Sequence, residues 1–134
     1  MPPGDYSGAA PYVIDPHAGL DVFLKNRIQN APGCNTASND TSQIADAVDL
    51  ASKSDVTVLL VGLDGSQEGE TKDRLFVRLP GVQNELVEKV SAAANGTVIL
   101  VAIGGGAMDL SAAKANPNLH AIMWVGYPGK YIED

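Results

Sequence analysis

Cysteine is nearly missing from this chain: Cys34 is its one thiol in 134 residues, which excludes an internal disulfide and a thiolate-rich metal site. An inert, buried place suits it best. Histidine is almost as scarce. His17 and His120 lie far apart, and His120 opens an apolar strand-like run, where a satisfied structural histidine fits better than a ligand. Neither a metal nor a cofactor is expected. No apolar run approaches the roughly 20 residues of a membrane span, and Met1-Pro2-Pro3-Gly4-Asp5 carries neither a basic nor an apolar targeting region. No membrane partner is expected. Positive charge is short as well, with 9 Lys and Arg against 16 Asp and Glu, a formal charge of -7, and no local basic run. Phosphate backbones would be repelled, so nucleic acid is not an expected partner.

What remains is one domain's length of chain with 45% hydrophobic content, enough for a real core. Residues 1–20 are rich in Pro, Gly and Ala, show no lasting period, and read as an irregular connecting segment ahead of a domain over 21–134. A short strand is expected around Arg27 to Ala31, ended by Pro32-Gly33. From Thr41 the pattern changes. Ile44, Ala47, Val48 and Ala51 recur at helical spacing, predicting a helix over 41–53 with Asp40 or Thr41 as its cap. Val56 to Gly62 reads as a buried strand. Pro80 can open a helix with Val82, Leu86, Val87 and Val90 on its apolar face and Asn95-Gly96 as its stop. A second strand follows over Val98 to Ile103, broken by Gly104-Gly105-Gly106, then a short helix from Asp109 to Lys114 and a third strand over Ala121 to Val125.

Apolar runs alternating with amphipathic helices predict an α/β fold, a mostly parallel sheet sandwiched between helices. Successive parallel strands place their following loops on one edge of the sheet, the edge where α/β proteins bind ligands. On that edge fall the acidic loop 63–78, the glycine loop 104–108 and the turn Gly126-Tyr127-Pro128-Gly129. The acidic loop is the functional candidate, since Gly65 to Arg74 crowds Glu68, Glu70, Asp73, Lys72 and Arg74 together. Asp64 and Tyr127 are candidates for a substrate rim, although Tyr127 could equally pack over the sheet edge. The triple glycine lacks the third glycine of a dinucleotide loop, because Asp109 stands there, and no G-K-[ST] occurs. A tight turn that lets backbone pass close to a neighbouring loop explains it better.

The runs Asp55 to Arg74, Leu79-Pro80-Gly81-Val82-Gln83-Asn84-Glu85-Leu86-Val87 and Trp124-Val125-Gly126-Tyr127-Pro128-Gly129 together resemble the second domain of family 3 glycoside hydrolases, in the β-xylosidase and β-glucosidase branch. Tyr6-Ser7-Gly8, Pro16 to Leu20 and Ala31-Pro32-Gly33-Cys34 resemble the leading segment of that domain, so the likeness covers nearly the whole chain. The resemblance implies a retaining β-glycosidase of terminal xylosyl or glucosyl residues. A barrel domain, the implied partner, would carry an aspartate nucleophile, and a glutamate on a loop of the second domain would be the general acid/base. Glu70, three residues before Asp73-Arg74, fits the family spacing; Glu68 is the runner-up. Thr71 departs from the family, where glycine is frequent. Asp73 and Arg74 are expected to pair and fix the loop. The resemblance also implies a carbohydrate substrate and a secreted parent enzyme, with which the sequons Asn39-Asp40-Thr41 and Asn95-Gly96-Thr97 agree, though chance alone predicts roughly one such match. Compared with the family, the chain ends early, so the sheet is expected to be incomplete at its carboxyl end and this polypeptide inactive by itself. The alternative is a non-catalytic module that binds carbohydrate or protein through the same loop edge.

Overall fold

A computed structural model describes residues 12–128. Tyr6-Ser7-Gly8 and Gly129 lie outside them. The chain divides into two compact units, one holding residues up to Asn30 and the other Ala31–Pro128.

In the first unit, helix α1 spans Pro16–Leu24, where an irregular segment was expected up to residue 20. Its ends explain it. The Asp15 carboxylate accepts from the Ala18 N–H at 2.8 Å, Pro16 has its φ fixed in the helical range, and Lys25 leaves the helix with φ 52°. No residue of α1 is buried, although Leu20, Phe23 and Leu24 fall at helical spacing. The strand expected around Arg27 to Ala31 does not form. Among the described residues no strand pairs with them, and the Arg27 N–H turns back to the Leu24 carbonyl at 3.2 Å.

The second unit contains, in order, helix α2 (Ile44–Ala51), strand β1 (Val56–Gly62), helix α3 (Gln83–Ala93), strand β2 (Thr97–Ile103), helix α4 (Ser111–Ala115) and strand β3 (Ala121–Trp124). Each was foreseen, with ends moved by a few residues. Pro80 stands in a turn ahead of α3 rather than inside it, its carbonyl accepting from the Gln83 N–H. Likewise Asp40 and Thr41 precede α2, the Asp40 carboxylate accepting from Ser42 and the Thr41 carbonyl from Ile44.

The strands form one parallel sheet in the order β1-β2-β3, with Leu59 beside Leu100 and Leu100 beside Ile122. This is the expected α/β class. Leu59 and Val61, with Val98 and Leu100, meet Ile44 and Ala51 of α2, Leu86, Val87 and Val90 of α3 and Ala113 of α4 in one core. Leu100, Val90 and Val98 are fully buried, and truncating Leu100 to alanine costs about 2–5 kcal/mol. Val56, Val58 and Leu60 alternate onto the opposite face and are exposed. Close backbone approach is built in at Gly62, where φ is 148° and a Cβ would stand 1.8 Å from the Ile103 carbonyl oxygen.

Candidate functional site

The loops following the three strands are stitched together by backbone. Leu63 N–H donates to the Ile103 carbonyl at 2.8 Å, Gly104 N–H to Gly126 at 3.0 Å, and Asp109 N–H to Val77 at 2.7 Å. Thus the acidic loop, the glycine loop and the last turn do share one edge. Leu63 and Leu79 are buried at the two ends of the acidic loop, which leaves its middle as the exposed part.

Gln83 fixes where that loop begins. It is 3% exposed, its Oε1 accepts from the Gly62 N–H at 2.6 Å, and its Nε2 donates to the carbonyls of Gly62 at 2.8 Å and Thr36 at 2.6 Å. A buried amide with this many partners supplies the end of β1 with hydrogen bonds that the sheet does not. Gln83 carries no charge and was not among the expected site residues. A signal existed: a polar residue opens the i, i+3, i+4, i+7 row completed by Leu86, Val87 and Val90.

Glu68 crosses to the glycine loop. Its Oε1 accepts from the Gly105 N–H at 2.8 Å, the Gly106 N–H at 3.2 Å and the Tyr127 hydroxyl at 2.5 Å, while its Oε2 lies 3.8 Å from Arg74 Nε. Partial burial raises its pKa, but the bonds from Tyr127, Gly105 and Gly106 and the charge of Arg74 outweigh that, and the net shift is downward. Glu68 is therefore a fixed anion. Tyr127 responds in the opposite sense: burial first, then its bond to Glu68 and that carboxylate's charge, push the phenol up to about 12. The glycines make this possible. A Cβ on Gly105 would come within 2.9 Å of the Tyr127 ring, and one on Gly106 within 2.8 Å of Glu68 Oε2.

Arg74 was expected to pair with Asp73, and it does not. Its guanidinium faces Glu68 and donates to the Ala107 carbonyl at 2.5 Å, so the cation joins the acidic loop to the glycine loop, and Asp73 stands exposed with no ion pair to Arg74. Glu68 wins because it brings a carboxylate that backbone amides already hold in place.

Glu70 occupies a turn of its own. The Lys72 N–H donates to the Gly69 carbonyl at 3.1 Å, placing Glu70 and Thr71 at the two central positions, and Lys72 Nζ reaches the Gly65 carbonyl at 2.6 Å. Thr71 has φ 65°, the left-handed conformation that glycine adopts without strain. Glu70 is exposed at this tip. Asp64 shapes the start of the loop: its carboxylate accepts from the Ser66 N–H at 2.8 Å, and hydrogen bonding from Ser66 lowers its pKa despite partial burial.

Away from the loops, His120 Nδ1 accepts from the Val98 N–H at 3.1 Å, the role of a structural histidine. Cys34 is half-buried against the core, and burial raises its thiol pKa. A shallow groove of about 470 Å³ runs between α4 and β3, lined by Leu110, Ala113, Leu119 and Ile122 among others. None of the loop carboxylates lines it.

The sequence profile of the glycosyl hydrolase family 3 C-terminal domain matches residues 1–132. The chain belongs to that family. It is 40% identical over 127 residues to beta-xylosidase/alpha-L-arabinofuranosidase 1 of Medicago sativa subsp. varia, and 44% identical over 127 residues to beta-D-xylosidase 3 of Arabidopsis thaliana. Each match covers 95% of this chain and 16% of the relative. Among solved structures, a GH3 exo-beta-xylosidase in complex with a xylobiose aziridine probe matches with a TM-score of 0.84 and 35% identity, over 94% of this chain and 16% of that one. This family 3 domain thus spans about one-sixth of the length of the relatives it matches.

Proposed function

We propose that this domain supplies the general acid/base loop of a retaining β-glycosidase that removes terminal xylosyl or glucosyl residues, with Glu70 as the proton donor and acceptor. The nucleophilic aspartate comes from the barrel domain, across the glycosidic bond. Retaining chemistry places two such carboxylates roughly 5–5.5 Å apart, so neither domain suffices and the isolated chain hydrolyses nothing. Relatives named as β-xylosidases favour xylosides as the first substrates to test.

The observation that carries the reading is the division of labour between Glu68 and Glu70. A general acid must hold a proton near neutral pH and give it up. Glu68, ringed by donors with its pKa lowered, is poorly suited to that. Glu70, exposed at the tip of a tight turn on the same loop, is better placed to meet a bond held by another domain. Asp64 on the same loop and Tyr127 on the last turn complete the rim.

The experiment replaces the corresponding one-sixth of a family 3 β-xylosidase with this chain and assays xylobiose, whose leaving group needs protonation. Activity that survives in the chimaera and is lost on Glu70→Ala supports the reading. Activity unchanged by Glu70→Ala removes the assignment of Glu70, and an inactive chimaera favours a module that only binds carbohydrate or protein.

A further inference from the structure

We infer that Glu68, Tyr127 and Arg74 form a latch that sets the position of the proton donor, with Glu68 as a positioning residue for glycoside cleavage. The inference rests on Glu70 being the acid and adds the device that aims it.

Glu68 lies two residues before Glu70, and Arg74 lies four residues after it. Both side chains cross to the glycine loop: Glu68 to the Gly105 and Gly106 amides, Arg74 to the Ala107 carbonyl. The Gly69–Lys72 turn is thereby held on both flanks, with Glu70 between the two anchors. Tyr127 closes the arrangement from the third loop through its bond to Glu68 Oε1, and its ring lies against Gly105. The Glu68 and Arg74 side chains are 19% and 16% exposed, so water competes weakly with these bonds. A donor that must meet a glycosidic oxygen within a few tenths of an ångström gains from such a fixed base, and misplacement of about 1 Å can cost on the order of 100-fold in rate.

No proton reaches the substrate from Glu68. It stays ionised throughout, and its function is geometric and electrostatic. Loss of the latch should therefore mimic, in weaker form, loss of the acid, slowing glycosides with poor leaving groups, which need protonation, more than activated aryl glycosides, which do not.

The test uses the chimaeric β-xylosidase with Glu68→Gln, Tyr127→Phe and Glu70→Gln, comparing kcat/KM for xylobiose with that for 2,4-dinitrophenyl xyloside across pH. Glu70→Gln should lower the xylobiose value by about 100-fold or more, with little effect on the activated substrate. Glu68→Gln and Tyr127→Phe should lower it on the order of 10-fold in kcat, with KM near the parent value, a displaced alkaline limb of the pH profile, and partial recovery in Glu68→Asp. Equal losses on both substrates with an unmoved pH profile would overturn the latch and leave Glu68 a purely structural residue. Leaving-group dependence in Glu68→Gln but none in Glu70→Gln would instead overturn the assignment of the acid. Tyr127→Phe keeps every carboxylate, so it decides the matter if Glu68→Gln fails to fold.

Discussion

The phenol of Tyr127 donates a 2.5 Å hydrogen bond to Oε1 of Glu68, 59 residues earlier, and so ties the loop after the last strand to the loop after the first. The Gly105 and Gly106 amides bind the same oxygen, so three segments remote in sequence converge on one carboxylate. In a parallel sheet this convergence is natural, since every strand delivers its next loop to the same edge.

Stability should depend on pH at both ends through this pair. The pKa of Glu68 is lowered in the fold, so its contribution is present above the ordinary value of 4.5 and lost as pH falls below it. The Tyr127 phenol is raised to about 12, so its contribution is present below the ordinary value of 10.0 and lost as pH rises through about 12. Asp40, Asp64 and Asp109 also have lowered values and add to the acid limb. The difference between parent and Glu68→Gln in urea midpoints, taken from pH 3 to pH 7, isolates the Glu68 part: it should be largest at pH 7 and shrink towards pH 3. A difference independent of pH would show that the carboxylate's charge contributes nothing.

Thr71→Gly should stabilise the chain by up to about 1 kcal/mol. The left-handed φ of 65° costs a β-branched residue about 1–2 kcal/mol, and glycine returns part of that gain through the extra entropy of its unfolded state. Thermal unfolding measures the shift. A lower melting temperature would mean that the threonine side chain itself holds the turn.

Gln83→Leu should cost about 2–4 kcal/mol, because the buried N–H and carbonyl of Gly62 and the carbonyl of Thr36 lose their partner together. Urea denaturation gives the value. A cost below 1 kcal/mol would indicate that the end of β1 relaxes to find other donors.

Much of the fold could be read from the residues, and the exceptions have physical causes. Val56–Gly62, Thr97–Ile103 and Ala121–Trp124 are legible because Val, Ile and Leu run together where a sheet is buried, and α2 and α3 because their apolar residues repeat at helical spacing. Helix α1 was harder to read, because the Pro- and Gly-rich surroundings mask a short apolar row, Leu20, Phe23 and Leu24, behind the capping pair Asp15-Pro16. Arg27 to Ala31 has strand-like composition and, among the described residues, no strand pairs with it. The acidic loop was legible as a place, while the partners of its charges were not. Arg74 chose Glu68, six residues away, over its neighbour Asp73, since that choice depends on where Gly105, Gly106 and Ala107 arrive from across the sheet. Thr71, at a place where the resemblance implies a frequent glycine, has the left-handed φ that glycine adopts without strain.

The most direct measurement follows the dependence of rate on leaving group in the chimaeric β-xylosidase carrying Glu70→Gln. With Glu70 as the acid/base, kcat/KM falls steeply as the leaving-group pKa rises, far more steeply than in the parent, and azide restores turnover of an activated aryl xyloside by attacking the glycosyl-enzyme in place of base-assisted water. A dependence no steeper than the parent's, with no response to azide, would contradict Glu70 as the acid/base.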